Sequence, residues 1–573
     1  MKLFYKNDFA CGSSPDPFVL YDNGTFYLYY TGGRKLTAKR SPDLITWEDA
    51  GTIFTPEEGS FIVQHLWAPE VIKWKDGRYY LYVTASGNTD SACPEGMTVD
   101  GRSGTQVFRP VVDGVTCVVL VGDSPVGPFK QWVGKRPNIV RYYHGSPVGK
   151  GDELKVDSYP VFDFPNAPAG WATNEAIYEH NGTNVFSVLD GHPYVDDDGT
   201  LYLYFVRSHD SNRATHSVWG MKMLDPVTPD YETMVKLTEP MELYPGGPSS
   251  PNNYMDGKLN EGVFVVKKGG KYVMFYCGGD GYNTSIALGD TPLGRFTKLH
   301  PKHRNPVLRI SPEFGFYDSP EGWGVFGAGH GMVLHAGEED FFVSLTTRPN
   351  PNGKGTVRTT MIDRMQWKYN DILGVDLPVI NGPTAYTLQP APEVVTGYKD
   401  IAPLARVTVN GEETPLITDG VIPILKRDDS HTYFCGNEGA TVTLDFSEPA
   451  EVAAVMVYNS RIPAYAFKKA DEILIEGEGE AKRITDVPFP REYLIGDPDK
   501  ERMRDEEALQ KAETWAASPL TDGGLLPGGA LVAECEHCGV RKITVKITEK
   551  LADNDLGIGI SEIVVLGKTN TEA

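Results

Sequence analysis

The chain has 573 residues, long for one core, and its 40% hydrophobic and 11% aromatic content is ample for burial in two or three domains. A formal net charge of −23 repels polyanions, so neither nucleic acid nor an anionic membrane surface is an expected partner, while a neutral ligand is compatible. Seven scattered cysteines, an odd number, argue against a disulfide framework, and no stretch reaches the length of a membrane span.

The opening run MKLFYKNDFACGSSPDPF contains no apolar segment of signal-peptide length, and the expectation is a cytoplasmic protein. From there a repeat sets in. DPFVLYDNGTFYLYYTGG begins at Asp16, PEVIKWKDGRYYLYVTAS at Pro69, DGHPYVDDDGTLYLYFVRS at Asp190, EGVFVVKKGGKYVMFYCGG at Glu261, and HGMVLHAGEEDFFVSL at His330. Each is a short apolar run, a tight glycine turn and a second alternating run, which reads as a β-hairpin. The trio Asp196–Asp198 occupies the same turn as Asp22–Gly24 and Lys75–Gly77. A calcium-loop reading of it fails, because the first aspartate of such a loop would fall on Tyr194. A weaker repeat, DSPVGPF at Asp123 and DTPLGRF at Asp290 with a related SPDLITW at Ser41, suggests outer-strand connections. Five such units predict an all-β, five-bladed β-propeller over residues 1–385. The long gap between Gly77 and Gly199 predicts insertions on one face, and 88–110 and 135–185 are both candidates to close a pocket.

In a propeller the first strand of each blade lines the axis, so matched positions on those strands converge. Seven to nine residues before the turn glycines stand Asp16, Glu70, Asp190, Glu261 and His330. Four carboxylates and a histidine at one mouth are costly unless paired, protonated or bound to a cation, and like charges split their pKa values. That arrangement suits hydrolysis of a glycosidic bond, in which one carboxylic acid protonates the leaving oxygen and another carboxylate activates water. A shared structural hydrogen bond at each blade would call for the same residue each time, whereas these identities differ.

The motifs SPDPFVLYDNGTFYLYYT, LWAPEVIKWKDGRYYLY, LDGHPYVDDDGTLYLYF, NEGVFVVKKGGKYVMFY and GAGHGMV, taken together, resemble glycoside hydrolase family 43. The resemblance implies a five-bladed propeller that hydrolyses with inversion. It implies Asp16 as general base, Glu261 as general acid, and Asp190 as the residue that orients the acid and raises its pKa. It places His330 near a central pore where many members hold calcium, Arg358 at the sugar subsite, and Trp67 along the pocket, while Glu70 is a substrate-binding candidate by its station in the repeat. The acid motif reads Glu261-Gly262-Val263 where the family commonly has proline third. The implied function is exo-acting release of a terminal sugar, α-L-arabinofuranose first, from the non-reducing ends of an oligo- or polysaccharide. β-D-Galactofuranosidase, β-xylosidase and exo-β-1,3-galactanase are alternatives, and a non-catalytic carbohydrate-binding propeller is the alternative of another class.

Past about residue 385 the hairpin punctuation stops. ARVTVNG, ATVTLDF, EVAAVMVYN, EILIEGEG, RKITVKITE and ISEIVVLG predict a β-sandwich over 386–573. It resembles the galactose-binding sandwich, as a carbohydrate-binding module or a packing domain. A charged segment near 497–515 reads as a helical insertion. The cluster Cys535, His537, Cys538 lacks a second ligand pair at zinc-finger spacing and reads as a surface loop with free thiols.

Overall fold

The computed structural model describes residues 2–7, 11–56, 62–87, 115–132, 186–209, 216–238, 260–278, 282–303, 305–308, 326–349, 356–384, 387–423, 430–489 and 529–569, with short strand pairs at 98–99/102–103 and 142–143/146–147. Most of both insertions (88–110 and 135–185) and the whole of the segment near 497–515 lie outside the described residues.

Five four-stranded antiparallel blades make the propeller, and blades 4 and 5 are joined into one sheet by a parallel pairing of Asn283 with Ala328. Blade 1 comprises Phe18–Asp22, Thr25–Tyr29, Leu36–Ser41 and Glu48–Phe54; blade 2, Ile62–Lys73, Tyr79–Gly87, Val115–Gly122 and Lys130–Gln131. Blade 3 comprises Phe186–Val195, Leu201–His209, Ser217–Asp225 and Thr228–Thr238; blade 4, Glu261–Lys268, Lys271–Gly278, Asn283–Gly289 and Thr297–Lys298. Blade 5 comprises Phe326–Ala336, Glu339–Pro349, Thr356–Asn370 and Val375–Ile380. Each predicted hairpin is the inner pair of a blade. The turn glycines 24, 77, 199, 270 and 337 all take positive φ, between 70° and 82°, which only glycine adopts without strain.

The apolar cores lie between blades. Leu81, Val83 and Phe129 of blade 2 pack with Tyr29 and Leu36 of blade 1, and Val188 and Phe205 of blade 3 pack with Tyr82 of blade 2. The residue five past the turn glycine ties neighbouring blades together. Tyr29, Tyr82 and Tyr204 donate their hydroxyls to the carbonyls of Pro125, Pro226 and Pro292 in the outer turn of the next blade, at 2.6, 2.6 and 2.9 Å. This accounts for the weaker DSP/DTP repeat. In blades 4 and 5 the same station is Phe275 and Phe342, which pack on each other with ring centroids 5.3 Å apart.

The ring closes through the N-terminal segment. Phe4–Tyr5 pairs with Gln389–Pro390, and the Asn7 side chain bonds both backbone groups of Ile362. The Ser14 N–H donates to the Arg358 carbonyl at 3.1 Å. Residues almost the full propeller apart in sequence are thereby fixed side by side.

The C-terminal strands, expected as a sandwich, are hydrogen-bonded into one nine-stranded sheet built on two long strands, Ala440–Asn459 and Ala530–Ile547, with Ala405–Val409, Lys469–Gly477, Lys482–Pro488 and Gly559–Thr569 around them. ATVTLDF and EVAAVMVYN, predicted as two strands, are one: register breaks between Asp445 and Ala450, around Pro449, where a ladder N–H is dispensable. The bend lets both halves feed one apolar core, from Val442 and Leu444 to Val455 and Val457. Cys535 and Cys538 lie in the long strand, Cys535 buried and Cys538 exposed, so the loop reading is corrected; both thiols are free. The propeller meets the C-terminal part where Asn381 donates to the Gly420 carbonyl at 2.9 Å and accepts from the Ile422 N–H at 3.1 Å, beside further bonds from Gln366 and Lys368.

Candidate active site

One backbone device recurs at the mouth of the axis. Asp16, Ala68, Asp190, Gly262 and His330, one per blade, take φ of 51°, 46°, 54°, 57° and 45°. In blades 2 to 5 the ladder to the second strand breaks register around that residue. Such a bulge re-aims the side chain that a regular pleat would bury between blades. For the non-glycine residues the conformation costs about 1 kcal/mol or more apiece, strain of the kind that collects at functional sites.

A hydroxyl or thiol on the neighbouring blade catches these backbone groups. Seven residues past the turn glycine, Thr31 accepts the Ala68 N–H at 2.8 Å, Thr84 accepts the Asp190 N–H at 3.0 Å, and the Cys277 sulfur takes the His330 N–H. In blade 3 that station is Val206, which has nothing to offer, and the Gly262 N–H turns to Asp190 Oδ2 at 3.0 Å instead. The missing hydroxyl thus becomes a hydrogen bond that holds the Asp190 carboxyl against the start of blade 4.

Asp16, Asp190, Glu261 and His330 come together. The Asp16 carboxylate, 8% exposed, accepts from Thr31 Oγ1 at 2.6 Å and from the Arg358 guanidinium at 3.2 Å, and its Oδ1 lies 3.6 Å from His330 Nδ1. His330 packs on Gly262: a Cβ there would lie 2.8 Å from the His330 Cα and Cγ. Glu261, beside Gly262, has Oε1 2.8 Å from His216 Nδ1 and accepts from Tyr282 Oη at Oε2, 3.2 Å away. The Arg358 guanidinium lies over the Tyr282 ring, 6.0 Å from its centroid, so one cation spans the Asp16 and Glu261 sides of the hollow. Trp67 is 36% exposed beside His65 on the blade 2 bulge, a flat apolar face at the rim.

Glu70 does not join them. Counting back from the turn glycine put it level with Asp16, but the bulge residue of blade 2 is Ala68, and Glu70 sits two residues further down the axis. There it is buried and Oε2 meets His192 Nδ1 at 2.7 Å, while His192 packs against Phe264 with the rings tilted and centroids 4.3 Å apart. His192, also two past its bulge residue, was visible in DGHP but carried no signal of its own. His216 and Tyr282 were missed outright, since a lone histidine ahead of a strand and a tyrosine in a turn have no spacing that marks them.

The carboxyl groups differ electrostatically. Burial, then the charges of Glu261 and Asp16, push Asp190 up to about 6 against the pull of His330 and the Gly262 N–H. Burial also raises Glu261, but the close contact and charge of His216 together with the Tyr282 hydroxyl outweigh it and hold it below the ordinary glutamate range. Sequence reasoning had Asp190 raise the acid's pKa; in the free site Asp190 is itself the raised group, because Glu261 has both the His216 ring and the Tyr282 hydroxyl on its carboxyl, whereas Asp190 has the Gly262 N–H and the charge of His330. A calcium ion finds a poor fit at His330: among the described residues no three His, Cys, Asp or Glu side chains converge on a metal, and calcium wants six to eight oxygens.

A hollow that gathers carboxylates, an arginine, a tyrosine hydroxyl and an exposed tryptophan is equipped to hold a sugar and to move protons at it. Among solved structures the chain is similar to a thermostable family-43 glycoside hydrolase, at 24% identity over 68% of this chain and 99% of that one with a TM-score of 0.45. It is also similar to an endo-1,4-β-xylanase from Bacteroides thetaiotaomicron (21%, 66% and 97%, TM-score 0.41) and an α-L-arabinofuranosidase from Lactobacillus brevis (17%, 67% and 98%, TM-score 0.42). No curated protein sequence matches the chain. Residues 5–139 and 166–373, more than half of the chain and all five blades' inner strands, match the family model described as Glycosyl hydrolases family 43, and the chain belongs to that family of glycosidases.

Proposed function

We propose that the protein is an inverting, exo-acting glycosidase that releases a terminal α-L-arabinofuranose from the non-reducing end of an oligo- or polysaccharide. Asp16 acts as general base: Thr31, Arg358 and His330 surround its carboxylate, which keeps an acceptor oriented for the attacking water. Glu261 acts as general acid from the opposite side. As the anomeric C–O bond breaks, the Glu261 proton passes to the leaving oxygen; the water oxygen bonds the anomeric carbon and its proton passes to Asp16.

Asp190 serves as the charge neighbour. In the free site the proton resides there up to a pH of about 6. Sugar binding strips water from Glu261 and disfavours its anion, which moves proton demand towards the acid. The observation that carries the reading is the chain of contacts from Asp16 through His330 to Gly262 and on to Asp190, which joins the carboxyls of blades 1 and 3 in one hollow beside Glu261, the neighbour of Gly262. The rim, with Trp67 and a half-exposed Arg358, supports recognition of a single terminal sugar.

A panel of nitrophenyl furanosides and pyranosides, with the anomer of the first product read by NMR, tests this. The α-L-arabinofuranoside is cleaved fastest with inversion, Asp16→Asn lowers kcat on it by about 10²-fold or more, and Glu261→Gln does so on the corresponding methyl glycoside, whose leaving group needs a proton, while binding persists. Retention of configuration, or variants as active as the wild type, would refute the assignment.

A further inference from the structure

The carboxyl of Glu261 is held at both oxygens, and the two contacts are unequal. His216 Nδ1 lies 2.8 Å from Oε1, an ion-pair contact without hydrogen-bond alignment, and the Tyr282 hydroxyl donates to Oε2 at 3.2 Å. His216 is buried, at the head of the third strand of blade 3, where Ser217 is already in register with Arg207. Glu261 begins the first strand of blade 4. The imidazole therefore reaches across a blade interface from an element that does not share the glutamate's backbone.

We propose that His216 is a positioning residue for this glycosidase: it anchors Oε1 of Glu261 so that Oε2, under the longer contact, is the oxygen presented to the leaving group. The proposal rests on the assignment of Glu261 as the acid. A glutamate side chain has three rotatable bonds, and an unheld carboxyl populates several rotamers. Proton delivery needs donor and acceptor within hydrogen-bond reach, and a displacement near 1 Å costs on the order of 10²-fold in rate. Oε1 is the poorer candidate for delivery, because an approaching sugar would have to displace a buried ring packed between two blades. At Oε2 it has only to displace, or share with, a hydroxyl.

A group that acts only through the acid matters in proportion to how much the leaving group needs a proton. The test compares wild type, His216→Gln, His216→Asn and Glu261→Gln on two substrates with the same sugar, dinitrophenyl and methyl α-L-arabinofuranoside or the same pair on whichever sugar the wild type cleaves. Dinitrophenolate departs without help; methoxide does not. His216→Gln is expected to lower kcat on the methyl glycoside by about 10- to 100-fold and on the dinitrophenyl glycoside by less than about 3-fold, with KM little changed on both. His216→Asn, whose amide nitrogen can stand near the position of Nδ1, is expected to recover part of the loss. Adding His216→Gln to Glu261→Gln is expected to cost nothing further, since the two act as a unit.

Equal losses on the two substrates, or independent losses in the double variant, would overturn the role of His216 and leave the glycosidase reading intact. A wild type that cleaves neither substrate nor any member of the wider panel overturns that reading itself. Thermal melts identify a variant that fails to fold, and the Asn variant then carries the same comparison.

Discussion

Two levels of the same axis, two residues apart on the same strands, are built to opposite ends. At the mouth, Asp16, Ala68, Asp190, Gly262 and His330 all have left-handed backbone, and the carboxyls of Asp16, Asp190 and Glu261 converge with the Arg358 guanidinium on Asp16. One level down, Glu70 and His192 satisfy each other, Phe264 covers the imidazole, and the Met332 sulfur takes the Val19 N–H. The deeper ring holds its polar groups in closed pairs, which stabilises the fold. At the mouth the backbone is strained and three carboxyls share one hollow instead of being matched pair by pair.

The largest test of this contrast is Gly262→Ala. The new Cβ would be forced into a left-handed residue and to 2.8 Å from the His330 Cα and Cγ, both part of the Asp16 cradle. A loss of about 1–3 kcal/mol in stability is expected, with a fall in kcat/KM beyond 10²-fold. Urea unfolding and steady-state kinetics read the two effects, and full activity would show that the mouth tolerates a relaxed geometry.

Glu70→Gln addresses the deeper level. Weakening the buried bond to His192 is expected to lower stability by about 1–3 kcal/mol while KM stays within about 3-fold of wild type. A tenfold rise in KM at unchanged stability would mean that Glu70 touches the sugar after all, and the two levels would not be separate.

Asp190→Asn gives the smallest effect, and it depends on pH. A carboxyl whose folded value is about 6 takes up a proton on folding between its unfolded value, roughly 4, and that pH. Its contribution to stability is present at low pH and lost as pH rises through 6. Asparagine cannot ionise and can still accept the Gly262 N–H. The variant is expected to gain on the wild type between pH 4 and 7, by at most about 1–3 kcal/mol. Parallel melting curves at pH 4, 5.5 and 7 would contradict the raised value.

Much of this was legible beforehand. Five glycine turns at matched places revealed five blades, because only a left-handed residue closes such hairpins and the sequence must spell glycine there. Asp16, Asp190, Glu261 and His330 stood out as ionisable residues ahead of apolar strands. Glu70 was placed one level too high because the bulge adds a residue without leaving a mark in the sequence. His216 and Tyr282 left no mark either, since each meets Glu261 only through the packing of blade on blade or the path of a turn.

The sequence by itself determined which residues turn, which alternate, and which strands begin with a charge, since these follow from local backbone sterics and the two-residue period of a strand. Only the tertiary structure decided which charges are spent on each other and which remain open. That depends on ring closure, where Ser14 and Arg358 are joined, and on a missing hydroxyl at Val206 that redirects one N–H to Asp190. Hydrogen-bond partners a third of a nanometre apart can lie hundreds of residues apart along the chain, and no local pattern encodes such a distance.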